Sequence, residues 1–383
     1  MRLAIDASRC RSGGAERHLA GILNNLSIDE TSFNSVIVWI PKSFSEQLPT
    51  ANWLEVRHPK LLINNLLGEL LWQAFTLTFL LKRLDAKALL TADASSLCFF
   101  KPVVVISQDL SSFEPEVLKS ATGIMRLRLH IIKWIQVFAL RRAKIRIYQS
   151  RYALTLIDRV VKSTKKSAVV AHGVGSSEKR WISKYFLMKK PITDHYKCLY
   201  VSPFAHYKKQ LELVRAVRIC RNQGLDLSLE LIGGGAGDYA DQVLKEIEIG
   251  KQEGCKIIVK GFMNHKEVLE SMSDADLFLF PSTCETFGIT LAEAMTVGVP
   301  IICANASSLP DLLEDGGLYC DATKPTSIAE CIFEAVNNPI DTVNRAFLAQ
   351  GIANKLSWYK ASVDTFKLID QSLNANSNGK VKI

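Results

Sequence analysis

The 383-residue sequence has no C-x-x-C pair, no leader-like start, no uninterrupted apolar run of membrane-spanning length and no internal repeat of 20–50 residues. Each absence removes a class of protein. Its nine cysteines are odd in number and dispersed, which argues against a disulfide framework and for a reducing cytoplasm, and none is assigned to a metal. The start, MRLAIDASRCRSGG, lacks the charged, apolar and small-residue segments of a signal peptide, so the mature chain is expected to begin at Met1. In the most apolar window, Leu61 to Leu81, Asn64, Asn65, Glu69 and Gln73 interrupt any span of about twenty apolar residues. That window reads as a buried or interfacial helix. Neither an aromatic and basic RNA signature nor a helix-turn-helix cue is present, so nucleic acid is not expected as a partner.

Length and charge say what remains. A chain this long predicts two domains, each able to bury its own core. Residues 1–190 carry 29 Lys and Arg against 14 Asp and Glu, and residues 191–383 carry 18 against 24, so the first half is the one expected to meet an anionic surface.

The first half reads as strand and helix in alternation. Arg2 to Ala7 predicts a strand, Ser8 to Gly14 a loop, and Ala15 to Leu26 a helix with Leu19, Ile22, Leu23 and Leu26 on one side. Gly13 and Gly14 would let backbone amides approach a phosphate or a sugar hydroxyl at the helix start, although such a pair also serves as a plain turn. Ser35 to Ile40 and Lys87 to Leu90 read as further strands, and Pro102 to Ile106, β-branched throughout its core, as a central parallel one. Its carboxyl end delivers Asp109, which either contacts sugar or acceptor, since ligands bind beyond strand ends in open α/β sheets, or serves, as Ser111 also could, as the N-cap of a helix. Residues 122–147 interleave Arg126, Arg128, Lys133, Arg141, Arg142, Lys144 and Arg146 with Met, Leu, Ile, Trp and Phe. Such a helix either lies on an anionic membrane with its basic side chains snorkelling or forms a half-buried helix with a solvated basic face. A strand at Ser167 to Ala171 ends at His172, a second-rank ligand candidate. Residues 175–195 lose periodicity and read as the interdomain linker.

The alternation restarts at Lys197 and predicts a second Rossmann-like domain with a parallel sheet. Gly234 lies in a glycine run after a strand. That run lacks the neighbours of a dinucleotide fingerprint and reads as a flexible loop near a nucleotide base. Asp274-Ala275-Asp276 spells a D-x-D triplet, but it ends a helix and opens an apolar strand, so it is not assigned to metal. The most informative stretch is PSTCETFGITLAEAMTVGVP, residues 281–300, which follows a buried strand and continues into a helical pattern from about Phe287, with the helix over Ile289 to Val297. The helix start is an anion site with Glu285 before it and Glu293 within it.

The Gly-Gly loop after the first strand, Tyr207-Lys208 after the first strand of the second half, and Glu285 with Glu293 at a spacing of eight together resemble the retaining glycosyltransferases of family four, glycosyl transferases group 1. The resemblance covers nearly the whole chain. It implies an α/β GT-B fold of two Rossmann-like domains with a cleft between them: 1–190 on the acceptor side with the linker, 191–355 for the nucleotide sugar, a helix at 356–373 packing back toward the first domain, and a disordered tail at 374–383. By resemblance, Glu293 accepts hydrogen bonds from the nucleotide ribose, and Glu285 lies beside the donor sugar. Amides of Thr286, Phe287, Gly288 and Ile289 meet sugar hydroxyls and diphosphate, and Lys208 neutralises the diphosphate as it leaves. No metal or other cofactor is then required. The implied reaction is sugar transfer with retention, from a nucleotide diphosphate sugar to a glycan or polyprenyl-linked acceptor, in bacterial surface polysaccharide assembly at the inner face of the cytoplasmic membrane. A nucleotide-sugar epimerase of the same fold and a non-catalytic nucleotide-sugar binder are the alternatives. The sequence departs from the family pattern at Pro203, five residues before Lys208, where an arginine is usual; Lys209 and His206 are the candidate substitutes.

Overall fold

A computed structural model describes residues 1–10, 13–59, 66–175 and 194–373. The linker expected at 175–195 lies almost entirely outside these residues, and so does the tail at 374–383. The chain divides into two compact units, Met1–Gly173 with Leu356–Ile383, and Val174–Lys355.

In the first unit seven parallel strands run in the order β3-β2-β1-β4-β5-β6-β7. They are β1 (Arg2–Asp6), β2 (Ser35–Trp39), β3 (Leu54–Arg57), β4 (Ala86–Thr91), β5 (Val103–Ser107), β6 (Ile145–Tyr148) and β7 (Lys166–Val169). Runs such as Val36-Ile37-Val38 and Val103 to Ile106 are buried on both faces, as parallel strands under helices must be. The strand predicted as central, β5, is interior but fifth of seven. The middle place goes to β4, because the chain first builds outward from β1 through β2 to β3 and then returns to β1's other side. The edge strand β3 is short and only partly buried, which hides it from a periodicity reading. The segment expected as one buried or interfacial helix is described from Leu66. It runs as α-helix Leu66–Leu71, a π-helical turn Trp72–Leu77, and α-helix Thr78–Arg83.

Where the chain leaves and re-enters this unit, one aromatic ring holds both crossings. Trp358 opens the helix Trp358–Leu373 and seats against Gly21 and Gly173, where a Cβ on either glycine would overlap its atoms. Phe366, Leu368 and Ile369 of the same helix join the core of Leu3, Ile5, Leu19 and Ile106, and the Ser362 hydroxyl donates to the Ile22 carbonyl at 2.7 Å. Beside Trp358 the buried rings of His18 and His172 meet Nδ1 to Nδ1 at 2.8 Å. One ring must donate and the other accept, which two imidazolium ions cannot do.

The second unit is a six-stranded parallel sheet, β10-β9-β8-β11-β12-β13. Its strands are β8 (Tyr196–Val201), β9 (Leu227–Ile232), β10 (Lys256–Gly261), β11 (Leu277–Phe280), β12 (Ile301–Ala304) and β13 (Leu318–Cys320). The order reverses between β8 and β11, paired Leu277 to Cys198 and Phe278 to Leu199, so the loops that follow these two strands emerge side by side. Asp276 joins the opposite ends of the same strands: its carboxylate accepts from the Lys197 amide at 2.8 Å, a structural task for the second acid of the D-x-D triplet.

Burial holds the His18 pKa down at about 4 and pushes that of His172 well below its ordinary value. An unfolded chain protonates both below about 6.5. Stability present at pH 7 is therefore lost as pH falls from about 6.5 toward 4. Denaturant midpoints followed over that range should drop in the wild type and drop less in His172→Gln, while Gly173→Ala should cost about 1–3 kcal/mol at pH 7 by displacing Trp358.

Candidate active site

Two neighbouring loops of the second unit build the site. After β8 the chain passes Ser202-Pro203-Phe204-Ala205 into a single turn, His206–Lys208, and then the helix Gln210–Asn222. After β11 it passes Pro281 to Gly288 into the helix Ile289–Val297. Thr283 ties the loops together, its amide and hydroxyl both donating to the Tyr207 carbonyl at 2.7 and 3.2 Å. The buried Tyr200 hydroxyl donates to the Lys208 carbonyl at 2.7 Å and fixes the turn from below.

That bracing brings Lys208 to Glu285. The ammonium donates to Oε1 at 2.5 Å, with the two side chains only 12% and 14% exposed, and lies 5.3 Å from the Tyr207 ring centre and 5.9 Å from that of Phe280. Burial, the largest single influence, pulls the lysine pKa down, but Glu285 by charge and hydrogen bond, with Tyr207 and Cys284, together hold the ammonium above its ordinary value. Glu285 is in turn held by its backbone. Its amide donates to the Ser307 hydroxyl at 3.0 Å, and its carbonyl accepts from the Ser307 and Ser308 hydroxyls, each at 2.8 Å. Ser307 sits at φ 56°, left-handed for a residue with a side chain. This serine pair after β12 carries no chemistry of its own in the sequence, so a motif reading passes over it.

The helix begins at Ile289, the start expected for the helix over Ile289 to Val297. Thr286 and Phe287 belong to the loop, and Gly288 is the cap at φ 93°, with the Leu309 side chain 3.1 Å from where a Cβ would stand. The residues from Leu291 to Val297 are all buried, so the helix lies inside the unit, and Gln350 anchors its end through the Thr296 carbonyl at 2.9 Å. A carboxylate on such a helix needs a partner. Glu293 has one in His265, whose Nε2 lies 2.8 Å from Oε1. His265 opens the helix His265–Asp274, placed there by a capping box between Asn264 and Glu267. Sequence reasoning missed His265, although the Asn264 and Glu267 signal fixing its helix start was legible.

The glycine run is packed. Gly233, at φ 119°, presses against the Ser202 carbonyl and donates its amide to Gly261 at 2.7 Å; Gly234 accepts from the Phe204 amide at 2.8 Å. Pro203 is exposed, with its carbonyl taken by the Ser202 hydroxyl and the Gln210 amide group, each at 2.9 Å. The candidate substitutes for the missing arginine have other neighbours: Lys209 faces Glu212 at 3.5 Å, and His206 packs on the Tyr239 ring at 4.2 Å.

In the first unit Gly13 and Gly14 are the first two residues of the helix Gly13–Asn24 rather than a loop before it. A Cβ on Gly13 would meet nothing. Asp109 accepts from the Ser111 amide at 2.8 Å and hydroxyl at 2.6 Å, which closes a local turn; neither residue caps a helix, since the next one, Pro115–Ser120, has Glu114 as its N-cap. His172 is committed to the core. Around the β1 and β4 ends lie polar groups the sequence did not single out: buried Asp6 accepts from Ser8, Gln73 and Ser96, and Arg9 meets Glu69 at 3.4 Å. Burial raises the Asp93 pKa against its bond from Ser95 and the charge of Arg9, and Asp109 adds to the rise. Among the described residues no group of three His, Cys, Asp or Glu is placed to hold a metal ion.

If the serine pair holds Glu285, Ser307→Gly should keep the backbone yet lower stability by about 1–2 kcal/mol, and adding Ser308→Ala should lower it further. Unchanged unfolding midpoints in both variants would remove the clamp from the account.

Residues 187–347 match the family model described as glycosyl transferases group 1. Among curated proteins the chain is 31% identical over 138 residues to an O-antigen chain mannosyltransferase B of Escherichia coli, covering 35% of each chain. The chain spans only 26 to 35% of the length of the first curated relatives it matches. Among solved structures it superposes on sucrose-phosphate synthase from Thermosynechococcus elongatus with a TM-score of 0.77 at 15% identity, covering 97% of this chain and 98% of that one. On Anabaena HepE, solved with UDP and glucose, the TM-score is 0.71 at 20% identity, covering 98% and 100%.

Proposed function

We propose that this protein moves a sugar from a nucleotide diphosphate sugar to a glycan or lipid-linked acceptor, retaining the anomeric configuration and without a metal; the match of residues 187–347 to the glycosyl transferases group 1 model and the GT-B fold support this reading. The observation that carries the reading is the Lys208–Glu285 pair at the sheet's switch point, beside the start of the helix Ile289–Val297. Open α/β sheets bind ligands there.

In the reaction the bond from the anomeric carbon to the diphosphate breaks and its electron pair leaves with the diphosphate. The acceptor oxygen bonds to that carbon from the same face and gives its proton to a departing phosphate oxygen. Lys208 and the helix-start amides of Gly288 and Ile289 meet the growing negative charge, which is where fixed donors lower a barrier most. Glu285 keeps Lys208 charged and aimed and lies beside the sugar. Glu293, oriented by His265, receives the ribose hydroxyls. In the first unit, the Gly13–Gly14 helix start is assigned to the donor and Asp109 to the acceptor. The UDP and glucose held by HepE support a nucleotide-sugar donor, and the E. coli O-antigen relative supports surface polysaccharide assembly. A lipid-linked acceptor would be met at the inner face of the cytoplasmic membrane, with the basic helix Gly123–Arg142 against anionic lipid.

Incubation with a panel of UDP-, GDP- and dTDP-sugars should give turnover or slow hydrolysis of one donor, undiminished by EDTA, with product anomers of the donor's configuration by NMR. No turnover of any donor would leave only a binding protein. Lys208→Ala should cut kcat by about a hundredfold, as loss of one fixed donor does. Glu293→Ala should instead weaken nucleotide binding by about tenfold.

A further inference from the structure

Two helical segments of the first unit turn apolar faces outward although each already buries another face. In Leu66–Arg83 the inner face is Trp72, Gln73, Ala74, Leu77 and Leu81. Leu67, Leu71, Phe75 and Phe79 stand on the outside, with the two phenylalanines 68% and 62% exposed. Their spacing of four would drift around a regular helix of 3.6 residues per turn; the wider π-helical turn Trp72–Leu77 offsets that drift and keeps them in one stripe. In Gly123–Arg142 the first two turns stand clear of the body: Ile124 is 86% and Trp134 69% exposed, and Met125, Leu127 and Ile131 are exposed as well.

Phe99 joins the two. Its amide donates to the Thr78 hydroxyl at 3.0 Å, its ring meets Phe138 at 6.4 Å, and Phe138 stacks on Trp134 at 6.0 Å. Arg142 lies over both phenylalanine rings and donates to the Phe99 carbonyl at 3.2 Å. Charge on these segments has one sign. They contain Lys82, Arg83, Arg126, Arg128, Lys133, Arg141 and Arg142 against a single carboxylate, Glu69, which is buried and paired with Arg9. A second copy of the chain would bring like charges together. An anionic bilayer accepts both the basic rim and the aromatic stripe.

We infer that Leu66–Arg83 and Gly123–Arg142 form one membrane-docking surface for anionic phospholipid, in which Leu71, Phe75, Phe79 and Trp134 enter the interface and Arg126 and Arg128 pair with headgroups. This deepens the lipid-facing part of the proposed function and rests on it for its purpose, but not for its test. It also narrows the basic residues involved, because Arg141 donates to the Val161 carbonyl at 3.0 Å and Arg142 holds Phe99, so both have structural tasks.

The test is co-sedimentation of the full chain with phosphatidylcholine vesicles with and without 30% phosphatidylglycerol. Wild type should bind the anionic vesicles, and added salt should weaken but not abolish binding. Phe75→Ser with Phe79→Ser should bind at least about tenfold more weakly, and Arg126→Glu with Arg128→Glu should lose the preference for phosphatidylglycerol. Since all nine native cysteines are buried, an environment-sensitive dye on Phe79→Cys reports insertion, and its emission should shift to the blue on anionic vesicles. Unchanged binding by the Phe75→Ser, Phe79→Ser chain, with no dye shift, overturns the surface. So does self-association of the wild type, seen by sedimentation, that these substitutions abolish without any vesicle binding. Donor turnover in solution should be the same in this variant as in wild type. If no donor turns over while vesicle binding depends on these residues, the surface stands and the reaction assignment falls.

Discussion

A charge placed at the open end of a parallel sheet must be paired or stay wet, and the second unit is arranged around one such pair. Lys208 and Glu285 come from loops 77 residues apart in the chain, and each loop is braced separately before the side chains meet. Tyr200 and Thr283 hold the lysine turn; Ser307 and Ser308 hold the glutamate backbone. The contact is possible because β8 and β11 are neighbours at the place where strand order reverses. Without that adjacency neither residue has a partner.

The same logic extends to the helix behind the pair. From Leu291 to Val297 the helix is buried, which fixes its body inside the unit, and its one acid is met by His265. Gly288 and Gly298 bracket the helix in left-handed conformations, at φ 93° and 76°, so both ends turn sharply within a tight space. Gly233 plays a comparable part beside the Lys208 loop, where the Ser202 carbonyl leaves no room for a side chain.

The first unit solves a different problem, that of a chain which leaves it and returns. Trp358 sits where both crossings meet, against Gly21 and Gly173, and the histidine pair beside it is held neutral by burial. Away from this clamp, the outward stripe of Leu67, Leu71, Phe75 and Phe79 is the surface feature that the unit's own packing does not account for.

Alternation of strands and helices, the β-branched runs, and the carboxylates and lysine of the site were legible in the sequence, because they depend on spacing and residue type along a few neighbouring positions. So was the helix Trp358–Leu373. Short or half-buried strands such as β3 and β13 were not, since only their sheet neighbours make them strands. His265, Ser307 and Ser308 were invisible as partners, since only the fold brings them to the residues they meet. Sequence by itself determined which groups bear charge and which segments repeat as α/β units, for these follow from local chemistry. Tertiary structure alone decided which charge meets which, since strand order, not chain order, sets the neighbours at the ends of a parallel sheet.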